Sequence, residues 1–462
     1  MRLAIVIMAA GKGTRLKSKR AKVLHEIGGK ALLKHVIASA SQIVPPRDIF
    51  VVIGHEAAHV ENSVKDTGVR FVHQTEQRGT GHAIQTAEAA VRDYDTLLIL
   101  SGDVPLLKAE TIAKLRDFHL EQRASMTILT AAPDDPTGYG RVLRAREGSP
   151  EVKAIVEQKA LTPEQQGICE INSGIYAFTS ADLFAHVHQL TTDNAHGEYY
   201  LTDVAAFLVK SGRRVVALEA ATPIEVLGAN TIAEMMDLDR ELRMETARKL
   251  MAQGVTILRP ETTVIDSTVE IGQDTVIEPF VQLLGATKIG DDCRVRSYSV
   301  IENSTLADHV VVRHGCIISD SRISHSAFIG PYSHLRPESD IGEGAHVGNF
   351  VETKKAKLGS GSKANHLTYL GDVEVGRDTN VGAGVITCNY DGANKHRTLI
   401  GDGVFVGSDS TLVAPLAIGN GAYVAAGSCI TEDVPEDALA LGRSRQTTKA
   451  GWASSKRGSK KR

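Results

Sequence analysis

From residue 271 onward, aliphatic residues return at every sixth position: Ile271, Ile277, Leu283, Ile289, Val295 and Ile301, then Ile323, Ile329, Leu335, Ile341 and Val347, then Ile400, Val406, Leu412, Ile418, Val424 and Ile430. Six is a multiple of the strand period of two, so ordinary antiparallel strands would satisfy the spacing alone. The residues that follow the aliphatics decide the matter. Gly272, Gly290, Gly330, Gly342, Gly348, Gly401, Gly407 and Gly419 stand at the next position, and glycine at that density weakens long strands. Very short strands, each closed by a turn, account for both features. Such hexads are the signature of a parallel β-helix, in which each coil lays its aliphatic side chains on the coil beneath. With three hexads per coil, residues 271–430 make roughly nine coils stacked about 4.8 Å apart. Steps of five, from Ile301 to Leu306 and from Ile318 to Ile323, mark slips at corners. The period breaks at 388–397, an excursion from a rigid scaffold of the kind on which sites are built.

The first half has another texture. Short β-branched runs at 3–8, 49–53, 69–72 and 97–100 alternate with longer stretches of helical period, which predicts an α/β domain with a mostly parallel sheet. A chain of 462 residues exceeds what one hydrophobic core usually serves, so two domains are the natural division. Between them Thr231 and Glu234 make a capping box, and a charged stretch runs to Gly254 as C-cap. Asp239 with Arg243 and Glu245 with Lys249 are favourable i,i+4 pairs. This predicts a linker helix of roughly 20 residues, about 30 Å long. The domain boundaries are then 1–230, 231–254 and 255–462.

Charge and cysteine content exclude several classes. The 52 basic and 55 acidic residues leave a formal net charge of -3, which offers no general attraction to nucleic acid or to a membrane surface. Phosphate binding must therefore be local. Five cysteines lie far apart without a CxxC pair, so neither a structural zinc site nor a disulfide framework is indicated, and a reducing cytoplasm fits best. The apolar run at the N-terminus ends in Gly11-Lys12-Gly13 with further basic residues behind it, which reads as a buried strand rather than a signal peptide. No run approaches the roughly 20 apolar residues of a membrane span, so no membrane insertion is expected. The basic tail 456–462 is low in complexity, and disorder is expected there; contact with nucleic acid is the weaker alternative.

At the end of the first strand, Gly11-Lys12-Gly13-Thr14-Arg15 and then Lys22 place flexible backbone amides beside two cations. Phosphates favour such a place. The spacing completes neither the dinucleotide fingerprint nor the ATPase loop, and a short glycine turn by itself is as readily structural. The whole stretch Ala9-Ala10-Gly11-Lys12-Gly13-Thr14-Arg15-Leu16 followed by Lys22, with Gly102-Asp103-Val104-Pro105-Leu106 after the strand at 97–100, resembles the sugar-1-phosphate nucleotidyltransferases. Gln74, Gly79-Thr80-Gly81-His82-Ala83, Gly138-Tyr139-Gly140-Arg141, Ile171-Asn172-Ser173-Gly174 and Gly197-Glu198-Tyr199-Tyr200-Leu201-Thr202-Asp203 narrow the match. The chain resembles the bifunctional N-acetylglucosamine-1-phosphate uridylyltransferase and glucosamine-1-phosphate N-acetyltransferase family.

That resemblance implies an α/β Rossmann-like nucleotidyltransferase domain, followed by a left-handed parallel β-helix that carries the acetyltransferase. It implies that Asp103 and Asn230 hold Mg²⁺ and that Arg15 and Lys22 clamp the phosphates as catalytic groups. Gln74 and Gly79 would read uracil, Gly140, Glu157 and Asn172 would bind the sugar, and Met8, Ala9, Ala10, Gly11, Thr80, Ser101 and Gly102 would complete the substrate contacts. A sugar-1-phosphate oxygen then attacks the α-phosphorus of UTP in line and expels pyrophosphate; positioning and charge neutralisation matter more than a general base.

In the β-helix, His346 and His366 could each be ordinary structural histidines. However, Gly348-Asn349-Phe350-Val351-Glu352-Thr353-Lys354-Lys355 and Lys363-Ala364-Asn365-His366-Leu367-Thr368-Tyr369-Leu370-Gly371-Asp372 match the acetyltransferase half of the family. Attack of a sugar amine on a thioester needs a base of histidine's pKa, with a carboxylate to orient it. By resemblance His366 is that base and Glu352 supports it; standing 14 residues apart, they are expected on neighbouring strands of adjacent coils. Arg336, Lys354, Tyr369, Asn380 and Lys395 match positions that bind the amino-sugar phosphate. Ala383, Asn389, Tyr390, Ser408, Ala426 and Arg443 match those that bind acetyl-CoA. Three departures stand out: Met8 for a usual leucine, Thr353 for a usual apolar residue, and variation around Arg443.

The implied activity is acetylation of glucosamine-1-phosphate by acetyl-CoA, then uridylyl transfer from UTP to N-acetylglucosamine-1-phosphate, giving UDP-N-acetylglucosamine for peptidoglycan and lipopolysaccharide synthesis. The implied assembly is a homotrimer with sites between subunits. The rivals are a nucleotidyltransferase of other specificity with a merely regulatory β-helix, and a non-catalytic scaffold. Intact Glu352, Lys354 and His366 speak against the first, and Arg15, Lys22 and Asp103 together against the second.

Overall fold

The computed structural model describes residues 2–194 and 196–458. The chain divides into two compact units, the first ending at Leu242 and the second beginning at Arg243.

The main sheet of the first unit runs in the order Val215–Glu219, Met126–Ala131, Ile171–Thr179, Thr96–Ser101, Leu3–Met8, Ile49–Ile53, Arg70–His73. Neighbours are parallel except that Ile171–Thr179 lies antiparallel to both of its partners. The centre of Leu3–Met8 is wholly buried. Its side chains divide by parity, Ile5 and Ile7 entering one core and Ala4 and Val6 the other, as period-two alternation requires of a strand covered on both faces. Register then places the chemistry. Met8 pairs with Ser101 and Ile53 with His73, so the turns at Ala9–Gly13 and Gly102–Asp103 and the residue Gln74 emerge at one edge, the carboxyl ends of the parallel strands. Ligands bind at that edge in open α/β sheets.

The helix Ile232–Ala252 starts at the expected capping box: the Glu234 N–H donates to Thr231 Oγ1 (3.2 Å) and the Thr231 N–H to Glu234 Oε2 (3.2 Å). Gly254 stands at φ 98 beyond its end. The division between units falls inside this helix rather than on either side of a separate linker. In the first unit Met235 and Leu238 pack with Ile27, Leu32 and Leu106; in the second, Ala247 and Leu250 join the β-helix core and Arg243 pairs with Asp266 at 2.8 Å.

The second unit is a parallel β-helix of two- to seven-residue strands. One face is an eleven-stranded sheet, of which Thr256–Ile257 and Leu439–Ala440 lie outside the periodic stretch 271–430. The other two faces join in a seventeen-stranded sheet. Coil length follows from the hexads. Val276 pairs with Arg294, 18 residues on, whereas Arg294 pairs with Val311, 17 on, because that coil contains the five-residue step from Ile301 to Leu306. Asn380 pairs with Phe405, 25 residues on, since 388–397 leaves the coil. The periodic aliphatics point inward and form one continuous core.

The expectation of disorder at 456–462 is corrected in part: Trp452–Gly458 is a helix. Lys456 lies 5.9 Å over the Trp452 ring, an i,i+4 cation–π contact that favours helix locally. Residues 459–462 of that tail lie outside the described residues. Among the described residues, no helix is long and apolar enough to cross a membrane.

Candidate active sites

The sheet edge of the first unit opens into a cavity of about 520 Å³. Of the residues expected there, Met8, Ala9, Ala10, Gly11, Arg15, Lys22, Gln74, Gly79, Thr80, Ser101, Asp103 and Asn230 line it. Gly102 lies just behind, its N–H donating to Met8 O at 2.9 Å. The wall also includes Lys12, Gln77 and Glu198, to which sequence reasoning assigned no role. Lys12 and Glu198 lay inside quoted motifs, while Gln77 carried no signal of its own.

Asn230 Oδ1 accepts from Arg15 Nη2 (2.7 Å) and from Lys22 Nζ (2.9 Å), and Lys22 forms an ion pair with Asp103. Asn230 is held in turn by the helix start, its N–H donating to Glu234 Oε2 at 2.9 Å. Two cations therefore converge beside one carboxylate, an arrangement that suits polyanionic phosphates and a counter-ion. Gly79 stands at φ +107, and a Cβ there would lie 2.6 Å from the Tyr199 carbonyl oxygen; only glycine lets this turn pack so closely.

Gly140, Glu157 and Asn172 lie outside the lining of that cavity and form a cluster of their own. The Asn172 N–H donates to Gly140 O (2.9 Å) and Thr202 Oγ1 donates to Glu157 Oε1 (3.1 Å). Burial raises the Glu157 carboxyl above its ordinary pKa; the Thr202 hydrogen bond opposes this and nearby Asp203 adds to it.

Among the described residues, no group of three or more His, Cys, Asp or Glu side chains could hold a metal. Mg²⁺ does not require one, since it takes one or two protein oxygens and completes its shell with water and substrate phosphates. Asp103 and Asn230 fit that use. Both are hard oxygen donors, and both contact the same Lys22 ammonium, so they converge on one cation position.

On the β-helix, one corner carries five of the expected acetyltransferase residues: His366, Ala383, Ser408, Ala426 and Arg443. Asp409 N–H bonds to Ala383 O (2.7 Å) and Gly427 N–H to Ser408 O (2.8 Å), so Ala383, Ser408 and Ala426 form a column along the axis, one per coil. Arg443 follows at its end, its Cδ 4.0 Å from where a Gly427 Cβ would lie. His366 belongs to the same edge, one coil before Ala383, its carbonyl accepting the Gly384 N–H at 3.4 Å.

Around the corner, Arg336 Nη1 donates to Glu352 Oε1 at 2.8 Å. Lys395 stands close enough to Lys354 that it, with Arg336 behind, lowers the Lys354 pKa. Three like charges held together in this way favour a bound anion. Asn380 lies on the neighbouring face, in register with Lys363 and Phe405. In the excursion, Asn389 Nδ2 donates to Asp372 and the Tyr390 hydroxyl to Gly392 O (2.6 Å). The loop's own clasp is Asp391, held well below the usual carboxylate range by the Asn394 N–H, His396 and the Ala393 N–H.

Glu352 and His366 stand on adjacent coils as expected, but their strands are not paired with each other. A coil is 17 residues here, three more than their spacing of 14, so Glu352 is in register with Tyr369 and His366 with Asn349. They sit on adjacent coils but on different faces across the corner. Glu352 bonds to Arg336, and among the described residues the His366 imidazole has no hydrogen-bond partner within its own chain.

A cationic cleft at the edge of a mostly parallel α/β sheet, joined in one chain to a parallel β-helix, defines a nucleotidyltransferase fused to a hexapeptide-repeat transferase. The MobA-like NTP transferase domain matches residues 5–208, and the bacterial transferase hexapeptide (six repeats) matches residues 268–303. Proteins named bifunctional protein GlmU are similar over the full length: 60% identity in Koribacter versatilis (100% of this chain, 98% of the relative), 52% in Solibacter usitatus (98% and 97%) and 44% in Trichlorobacter lovleyi (98% and 98%). The chain belongs to the GlmU family. It is a bifunctional enzyme that acetylates glucosamine-1-phosphate and transfers uridylyl from UTP to the N-acetylglucosamine-1-phosphate so formed, giving UDP-N-acetylglucosamine and pyrophosphate.

Proposed function

We propose that the two activities are carried by the two sites just described, with the following division of labour. In the first unit Arg15 and Lys22 bind the phosphates and neutralise the charge that builds as the sugar phosphate attacks the α-phosphorus of UTP. The observation that supports this best is the convergence of both cations on Asn230 Oδ1 beside Asp103. Mg²⁺ held by Asp103 and Asn230 would supply further neutralisation between sugar phosphate and nucleotide phosphates. Gln74 and Gly79 meet the uracil, and Gly140, Glu157 and Asn172 hold the sugar.

In the β-helix, Arg336, Lys354 and Lys395, with Tyr369 and Asn380, bind the amino-sugar phosphate. Acetyl-CoA lies along the Ala383, Ser408, Ala426 and Arg443 column and against Asn389 and Tyr390. As the amine nitrogen attacks the thioester carbonyl, His366 takes the amine proton, and the C–S bond breaks to release the CoA thiolate. Glu352 acts through its bond to Arg336 and through the shape of the corner.

The acetyltransferase works in a homotrimer. Phe280, Tyr298, Tyr332, Phe350 and Leu367 project from the His366 edge at left-handed corners, with Gly315, also left-handed, standing between Tyr298 and Tyr332, and each of the five is between 49% and 65% exposed. Phe280 stacks on Tyr298 (5.2 Å) and Tyr332 on Phe350 (5.7 Å). An apolar ridge of this extent marks an interaction surface, and one running into the His366 edge suits a site completed by a second copy. The enzyme is placed in the cytoplasm, where its nucleotide and thioester substrates are made.

An assay with acetyl-CoA, UTP, glucosamine-1-phosphate and Mg²⁺, each omitted in turn, tests the scheme. UDP-N-acetylglucosamine should form only in the complete mixture, while omission of UTP or Mg²⁺ should still allow CoA release. CoA release that requires UTP, or uridylyl transfer to N-acetylglucosamine-1-phosphate that survives chelation of Mg²⁺, would refute it.

A further inference from the structure

Beside Gln74, outside the lining of the cavity, stands a histidine that none of these roles uses. Gln74 is 3% exposed and follows the strand Arg70–His73, with its backbone N–H on Ile53 O at 2.8 Å. Its side-chain nitrogen lies 3.3 Å from Gly79 O and 2.9 Å from His82 Nδ1. A carbonyl oxygen can only accept, so the end of the amide facing Gly79 is the NH₂ group. The second N–H of that group then meets His82 Nδ1, which accepts it in the neutral tautomer protonated at Nε2.

The His82 ring is itself fixed. It stands in the first turn of the helix Thr80–Val91 and stacks on Tyr199 at 6.3 Å, over which the Arg78 guanidinium lies at 5.1 Å. With both amide hydrogens engaged, Oε1 is the polar atom of Gln74 left for a ligand. It has no partner among the described residues, and Gln74 lines the cavity.

We infer that His82 is a positioning residue for base selection: it holds the Gln74 amide so that an oxygen, and not an NH₂ group, faces the pyrimidine. This rests on the reading of Gln74 as the base-meeting residue. Uracil presents a donor at N3, which the oxygen accepts; cytosine presents an N3 lone pair, which the same oxygen repels. An amide free to turn over would offer its NH₂ group to cytosine and lose that discrimination. Sites that oppose like groups in this way discriminate strongly, because the wrong ligand leaves a buried polar atom unpaired.

The full-length enzyme is assayed with N-acetylglucosamine-1-phosphate and either UTP or CTP. His82→Phe keeps a ring but removes the acceptor, and His82→Asn places an acceptor oxygen near the position of Nδ1. With the phenylalanine variant the KM for UTP should rise about tenfold, the loss expected for one hydrogen bond of this kind, with kcat little changed. The UTP-to-CTP ratio of kcat/KM should fall by a similar factor, while His82→Asn should keep it near the wild-type value. His82→Leu gives the same acceptor-free comparison if the phenylalanine variant does not fold.

A wild-type ratio in the acceptor-free variants would overturn the proposal, as would equal loss with asparagine, which would assign the effect to ring packing. Gln74→Ala separates the layers. If it collapses the ratio while the acceptor-free variants do not, the role of His82 falls and that of Gln74 stands; if it leaves the ratio unchanged, the reading of Gln74 itself fails.

Discussion

A buried histidine in the first unit makes a quantitative prediction about acid stability. His119 is 1% exposed on the helix Ala109–Glu121. Its Nδ1 lies 2.9 Å from Thr127 Oγ1 and its Nε2 3.4 Å from Thr179 Oγ1, so hydroxyls serve both nitrogens, and among the described residues no carboxylate is bonded to them. Burial lowers its pKa from 6.5 to about 4. A depressed histidine pKa means that the unfolded chain binds the extra proton more readily. The stabilisation is therefore complete above pH 6.5 and is lost as pH falls toward 4. At about 1.4 kcal/mol per pKa unit the whole effect is about 3 kcal/mol, of which about 2 kcal/mol is gone by pH 5. The measurement is denaturant unfolding of the wild type and of His119→Gln from pH 8 to pH 5, with uridylyl transfer as the probe of native first unit. The variant should be less stable at pH 8, and the gap should shrink by about 2 kcal/mol at pH 5, because glutamine does not titrate there. A gap that stays constant over that range would refute the reasoning and place the proton elsewhere.

The two sites should also separate by mutation. Asp103→Asn should lower Mg²⁺-dependent uridylyl transfer by about a thousandfold through loss of charge stabilisation while leaving CoA release intact; equal loss of both activities would sink that assignment. His366→Ala should lower acetylation by about a hundredfold or more, the usual contribution of a general base, with uridylyl transfer from supplied N-acetylglucosamine-1-phosphate unchanged; normal acetylation would dismiss His366 as the base. Gly371→Ala tests Tyr369 without touching its chemistry, since a Cβ at Gly371 would lie 2.6 Å from Tyr369 Cζ and the ring must swing away. The KM for glucosamine-1-phosphate should rise about tenfold with the fold retained, the cost of one lost hydrogen bond to a charged group; an unchanged KM would remove Tyr369 from the site.

The hexad could be read from the sequence because each aliphatic marks a residue that must point inward, and the slip at Ile301 to Leu306 even foretold which coil would be short. What could not be read is what the coils bring together on the outside. Phe280, Tyr298, Tyr332 and Phe350 look scattered along the chain and become a ridge only when 17- and 18-residue coils are stacked. Ala383 and Ser408 are hidden in the same way by the excursion at 388–397, which breaks the arithmetic between them. The placement of Glu352 and His366 has that origin, for a spacing of 14 falls three short of a 17-residue coil and leaves the pair on different faces. In the first unit Asn230 was known only by resemblance, and its contact with Arg15 spans 215 residues, a distance that no local pattern reports.

Thr353 shows how a departure can be resolved by the partner it meets. A hydroxyl in the slot of an apolar residue, fully buried, is costly unless it is satisfied. Thr353 Oγ1 pairs with Ser339 Oγ at 2.8 Å, one coil away, and Ser339 Oγ also lies 2.6 Å from Arg336 O. The polar substitution is thus half of a pair, and two hydroxyls that satisfy each other can replace two apolar groups at little net change in stability. Because the pair closes on the backbone of Arg336, the same two residues that repair the core also brace a cation of the acetyltransferase edge.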